Sequence, residues 1–373
     1  MEIRFVLGDA AGQCGWTTKA VVGPNQQSNS LRIMDGDHAA LPVRSLGTTG
    51  MEITTVGLGA WAIGGGGWAF GWGPQDFEES VATILEAVRS GINWIDTAAV
   101  YGLGTSEKVV GEALRRIGPN ERPYVFTKCG LRWDDADRSV PPSRVGNPSS
   151  IRQEVDASLS RLGVERIDLY QMHWPTEDGT PLEEYWSTLL ELRDAGKVAA
   201  IGLSNHSASQ LTQAEALGHV DSLQPPLSLI NRSALAADIP WCDKHSTGVI
   251  VYSPMQSGLL SGTFDRARLE SLAPDDWRRR SPDFSGDGLE ANLALVEGLR
   301  PLAESYGVSV GALAVAWTLS WPGVTGAIVG ARRPDQIRGW IDAAGLSLTE
   351  KDLASIAALV LETGAGKGPI PGA

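Results

Sequence analysis

The chain has 373 residues, 42% of them hydrophobic and 20% charged, with 31 Lys and Arg against 44 Asp and Glu for a formal net charge of −13. That length buries a large core, in one big α/β barrel or in two ordinary domains. The acidic balance speaks against nucleic acid as a partner, because phosphate binding wants a basic face, and no apolar run is long enough for a membrane span.

Residues 1–40 show no clear period and include the polar run QQSNS, so a poorly ordered N-terminal extension is expected there. The opening MEIRFVLGDAAGQCG has no basic stretch followed by a long apolar one, as a secretory leader would. Cys14, Cys129 and Cys242 are few and far apart, which suits a reducing, cytoplasmic setting better than a disulfide framework. His38, His173, His206, His219 and His245 are equally scattered, and no metal site is expected.

From Leu41, LPVRSLGTTGMEITTVGLG reads as a β-hairpin with its turn at Gly47–Gly50. β-Branched runs then alternate with amphipathic stretches. The strands are read at 54–58, 92–96, 124–128, 167–172, 198–203, 220–224, 248–253 and 325–330. Between the first two, Phe77, Val81, Ile84, Leu85 and Val88 share one helical face, with Asp76 and Glu79 at the start and Gly91 as the stop. Further helices are read from Ser150 to Gly163 and over 182–196. Eight strand-helix units predict an α/β fold, a single (β/α)₈ TIM barrel over 41–363 with an N-terminal β-hairpin; a doubly wound sheet is the alternative. Residues 364–373 are expected to be a flexible tail. Long connections at 130–149 and roughly 256–288 follow strands, so they fall at the C-terminal face, where barrel enzymes place their sites.

The strand ends carry the chemistry. The second strand ends in Asp96, with Tyr101 five residues on; the third ends in Lys128 and the fourth in His173. In a barrel these converge on one mouth. A tyrosine has a reference pKa of about 10, and a nearby ammonium lowers it, so Lys128 is expected to tune Tyr101 as a proton donor, with Asp96 holding Lys128 and His173 orienting the substrate oxygen. Each residue alone is more often a cap, a solvated charge or a satisfied polar group; four together at successive strand ends point to a catalytic site.

GINWIDTAAVYGLGTSEKVVGEAL (91–114), VFTKCG (125–130) and VDASLSRLGVERIDLYQMHWP (155–175) resemble the signatures of the aldo-keto reductase family, from about Leu41 to Leu361. The resemblance implies a (β/α)₈ barrel, the tetrad Asp96, Tyr101, Lys128 and His173, and reduction of aldehydes or activated ketones by hydride transfer from NADPH, with NADH second. It puts carboxamide contacts at Ser204, Asn205 and Gln224. It puts the pyrophosphate along YSPMQSGLLSG, at Tyr252, Ser253, Pro254, Gly258 and Leu259. The adenosine end falls at Gly330, Arg332 and Gln336, with Arg332 on the 2′-phosphate and Arg333 as a second cation. The run Gly64–Gly67 lacks a strand-then-helix context and reads as a loop. Trp61, Trp133 and Trp174 are candidates for the substrate pocket, and Trp68 and Trp72 flank the same loop. Two positions depart from the family: Leu227 stands where an aromatic is common, and Trp340 replaces an Asn. Arg232 reads as structural. The rival readings are a regulatory subunit like the β subunits of potassium channels, and a sugar or alcohol dehydrogenase working oxidatively. The expected partner is a small-molecule carbonyl compound.

Overall fold

A computed structural model describes residues 40–272 and 276–370. The extension expected over residues 1–40 lies outside these, Ala40 excepted.

The hairpin is present: β1 (Val43–Ser45) pairs antiparallel with β2 (Glu52–Thr54). Eight strands then close a barrel: β3 (Val56–Gly59), β4 (Trp94–Asp96), β5 (Tyr124–Cys129), β8 (Ile167–Met172), β9 (Val198–Ser204), β10 (Ser222–Gln224), β11 (Gly248–Tyr252) and β12 (Gly326–Gly330), which returns to β3. Every neighbouring pair in it is parallel. A small antiparallel ribbon, β6 (Leu131–Arg132) with β7 (Ser143–Arg144), stands in the loop after β5. Ten helices number α1 (Phe77–Arg89), α2 (Thr105–Arg116), α3 (Pro148–Leu162), α4 (Leu182–Asp194), α5 (Ala208–Glu215), α6 (Asp238–His245), α7 (Arg266–Glu270), α8 (Gly286–Tyr306), α9 (Val310–Leu319) and α10 (Glu350–Thr363) among the described residues.

Helix starts follow local chemistry. Asp76 accepts from the Glu79 backbone N–H ahead of α1, and Asn147 does the same for Ser149 ahead of α3, with Pro148 at the first helical position and Gly163 in a left-handed stop. Of the expected α1 face, Val81 and Ile84 are buried, with Ala87 beside them, and Leu85 packs against the core, whereas Phe77, the first residue of the helix, is 41% exposed.

The barrel interior is a packed core of Trp94, Phe126, Leu169, Ala200, Ile250 and Ile328, closed at the N-terminal end by Leu46, Met51 and Ile53 of the hairpin. Trp94 fits because β3 carries Gly57: a Cβ there would stand 2.1 Å from the indole. The indole N–H donates to Thr54 O at 2.7 Å. A second, larger core lies between the strands and the surrounding helices. Among the described residues no single helix is long and apolar enough to cross a membrane.

The segment after α10, read from sequence as a free tail, is hydrogen-bonded to the barrel as far as it is described. Lys367 N donates to Ile230 O at 2.8 Å, and Arg232 N donates to Lys367 O at 2.9 Å. The buried Arg232 side chain donates to Leu229 O, to Ala365 O at 3.3 Å and to Pro369 O at 3.0 Å.

Candidate active site

The four residues read at the strand ends meet at the C-terminal mouth. Asp96 closes β4, Lys128 lies in β5, His173 follows β8, and Tyr101 sits on the turn after β4. That turn is tight: Gly102, Leu103 and Gly104 have φ of 59°, 53° and 92°. A Cβ on Gly102 would lie 1.9 Å from Gly64 O, so glycine lets the Tyr101 turn pack onto the loop after β3.

Lys128 Nζ donates to Asp96 Oδ1 at 2.6 Å and to Thr97 O at 3.0 Å. Gln224 Nε2, at the end of β10, donates to the other carboxylate oxygen at 2.9 Å. Lys128 is 1% and Asp96 3% exposed, so two desolvated charges depend on each other and on these bonds. Lys128 Nζ lies 5.3 Å from the centre of the Tyr101 ring, and the His173 ring meets that ring edge to face at 5.6 Å. Asp96, Tyr101 and His173 border a cavity of about 1170 Å³, and Lys128 lies behind its wall.

Burial raises the Asp96 carboxyl, against the pull of Lys128, and lowers the Lys128 amine, against the pull of Asp96. Burial, with Asp96 and Tyr252 adding to it, pushes the Tyr101 hydroxyl well above the ordinary tyrosine range. This corrects the expected lowering by Lys128: the ammonium is already neutralised by Asp96, and desolvation outweighs what remains. Tyr101 therefore keeps its proton through neutral pH. Burial, then Lys128 and Arg144, hold His173 well below 6.5, as a neutral imidazole.

The residues expected along the cofactor border the same cavity: Ser204, Asn205, Gln224, Tyr252, Ser253, Pro254, Gly258, Gly330, Arg332 and Gln336. Leu259 is fully buried behind them. At one end Asn205, with φ of 62°, donates to His173 O at 2.9 Å and accepts from Tyr252 OH at 2.7 Å, while Ser204 Oγ donates to Gln224 O at 2.9 Å. Along the wall, Ser253, Gln256 and Ser257 have φ of 56°, 43° and 53°, strained backbone of the kind that clusters at ligand clamps, and Gly258 follows at 93°, which glycine adopts freely. At the other end Arg268, Arg278 and Arg332 converge. Arg332 Nε donates to Gln75 at 2.8 Å and Nη2 to Pro74 O at 2.5 Å, and its backbone N–H donates to Gln336 at 2.7 Å. Burial lowers its guanidinium, and the neighbouring charge of Arg278 lowers it further. Cations gathered in a cavity of an acidic protein suit an anionic ligand.

Leu227 is buried outside the cavity wall, which Tyr252 at the end of β11 borders. Trp340 borders the cavity beside Gln336, whereas Arg333 turns to Asp335 at 3.1 Å. Trp61 and Trp174 border it too. Trp133 does not: β6 ends at Arg132, and the indole N–H that follows donates to Asp135 at 2.9 Å. Sequence reading missed Trp277 and Arg278, from the long loop after β11. Trp61 stacks between Tyr101 (6.1 Å) and Trp277 (6.0 Å), Trp72 meets both tryptophans edge-on, and the Arg278 guanidinium lies 4.8 Å over Trp72. Their one signal is the composition of the segment, WRRR, in a loop with no period. Arg144 was missed as well.

Comparison with known proteins places the chain in a family. The model of the Aldo/keto reductase family matches residues 56–361. The chain is 36% identical over 290 residues to an NADH-specific methylglyoxal reductase of Escherichia coli, spanning 75% of this chain and 87% of that protein. It is also 36% identical over 292 residues to an aldo-keto reductase of Bacillus subtilis, spanning 78% of this chain and 86% of that one. The solved structure of a glycerol dehydrogenase from Gluconobacter oxydans superimposes with a TM-score of 0.80 at 37% identity, covering 88% of this chain and 98% of that one.

Proposed function

Since the chain belongs to the aldo-keto reductase family, whose members use nicotinamide cofactors, we propose that it reduces aldehydes or activated ketones to alcohols with NADPH, and that Tyr101 is the proton donor. The observation that carries this reading is the buried Asp96–Lys128 pair set against the Tyr101 ring, with neutral His173 at the ring edge, on the border of one large cavity. The bound cofactor supplies the hydride for the carbonyl carbon. Tyr101, protonated through neutral pH, gives its proton to the carbonyl oxygen as negative charge develops there. Lys128 places a positive charge beside the phenol, Asp96 keeps that lysine charged, and His173 orients the oxygen. Trp61, stacked on Tyr101, helps exclude water from the mouth.

NADPH is favoured by the three arginines that border the far end of the cavity. The test is loss of reduced-nicotinamide absorbance with a panel of aromatic aldehydes, dicarbonyls and aldoses, using each cofactor, in the wild type and in Arg332→Ala. Turnover on the panel is expected. Charge-assisted hydrogen bonds are worth about 1.5–3 kcal/mol, so Arg332→Ala is expected to weaken NADPH affinity about tenfold or more with little effect on NADH. Equal losses for the two cofactors would refute the 2′-phosphate role. A second reading, oxidation of an alcohol, is favoured by the likeness to a glycerol dehydrogenase. It uses the same residues with Tyr101 as base, and so would gain rate as pH rises toward the high Tyr101 pKa.

A further inference from the structure

The cavity wall beside His173 is built by Trp174, Arg144, Glu177, Leu131 and Pro142. Arg144 is fixed there from three sides. It pairs with Leu131 across the β6–β7 ribbon, which continues directly from the strand that carries Lys128. Val145 N donates to Gly130 O at 3.0 Å, and Glu177 N donates to Arg144 O at 3.0 Å. Its guanidinium lies 4.6 Å over the ring of Trp174, the residue next to His173. Stacking of this kind holds the planar fork in one orientation.

The side chain has one hydrogen-bond partner among the described residues: Nη1 donates to Glu177 at 2.7 Å, a carboxylate that is 66% exposed. The edge made by Nε and Nη2 has no protein acceptor there. The other two cavity arginines with bonded side chains differ. Arg332 commits Nε and Nη2 to Gln75 and Pro74, which leaves Nη1 for the 2′-phosphate proposed above but no open two-donor edge, and Arg278 commits both to Asp276. The Arg144 charge also reaches the tetrad, since it contributes to the lowering of His173.

Resting on the reductase reading above, we propose that Arg144 is a specificity residue that receives a carboxylate of the substrate, so that the preferred substrates are aldehydes or ketones bearing a carboxylate group. A planar carboxylate meets the open Nε–Nη2 edge with two parallel hydrogen bonds. It need not displace Glu177, and an exposed ion pair of that kind yields readily if it must.

The test compares para-carboxybenzaldehyde with its methyl ester, and succinic semialdehyde with its methyl ester, as kcat/KM in wild type, Arg144→Met and Arg144→Lys. The expected wild-type preference for acid over ester is about tenfold to a hundredfold, the range of a charge-assisted pair. Arg144→Met is expected to abolish it and Arg144→Lys to restore part of it. No preference in the wild type, or an unchanged preference in Arg144→Met, overturns the proposal. A binding arm separates this claim from the reaction itself: calorimetry of para-(hydroxymethyl)benzoate with the wild type and Arg144→Met, which requires no turnover. Binding at least tenfold weaker in the variant supports Arg144 even if every aldehyde fails as substrate, a result that would count against the reductase reading alone. Equal binding overturns the proposal.

Discussion

At the scale of single residues, the site rests on one buried ion pair. Asp96 and Lys128 are nearly inaccessible, and each charge is tolerable because the other stands 2.6 Å away. Breaking such a pair from one side typically costs about 3–5 kcal/mol, because a buried charge is left uncompensated, while removing both partners costs much less. Lys128→Met is therefore expected to destabilise the fold by about 3 kcal/mol or more, and Asp96→Asn combined with Lys128→Met to recover most of that loss, as read from urea unfolding midpoints. Should Lys128→Met unfold at the wild-type midpoint, the pair would not be holding the barrel mouth as described. Gln224 adds a bond to Asp96 from the opposite side of the barrel, so a residue expected from the family resemblance to face the cofactor also steadies the tetrad.

At the scale of elements, much was legible in advance. The eight barrel strands are parallel and buried on both faces, so they read as short runs rich in Val, Ile and Leu, and all eight lie where those runs do. The four site residues were legible because each sits at or just beyond a strand end, and barrel topology alone brings strand ends together. What escaped sits in loops. Trp277, Arg278 and Arg144 have no period around them, and their places are set by contacts with distant segments: Trp61 and Trp72 for the first two, Trp174 and Glu177 for the third. The period also set most of the α1 face, Val81, Ile84 and Leu85, but not its end at Phe77, since it does not say where the helix meets the barrel.

The packing of β3 can be tested by a single substitution. Gly57 lies against Trp94, which fills the barrel interior. Gly57→Ala is expected to cost about 1–3 kcal/mol by overpacking. Gly345→Ala, where a Cβ would meet nothing within 4 Å, is expected to stay within about 0.5 kcal/mol of wild type. Thermal unfolding of the two variants side by side checks this, and equal stability would contradict the packing of Trp94 against Gly57.

At the scale of the whole molecule, the barrel places its apolar packing and its chemistry at opposite ends, the Asp96–Lys128 pair serving both. Its N-terminal end is closed by the hairpin and filled with Trp94, Phe126 and Leu169, while its C-terminal mouth carries the ionisable cluster and the long loops. The mouth has two regions, the tetrad with its aromatic stack and a wall where arginines gather in a chain of net charge −13. The measurement that tests this account most directly is Tyr101→Phe, assayed for turnover of an aldehyde that the wild type reduces and, in parallel, for cofactor affinity by fluorescence titration. General acid catalysis contributes about 10²–10⁴ in rate. The account predicts a loss of that size with cofactor affinity within about twofold of wild type, because Tyr101 carries the proton and the cofactor is held by other residues. Turnover near the wild-type rate would contradict it.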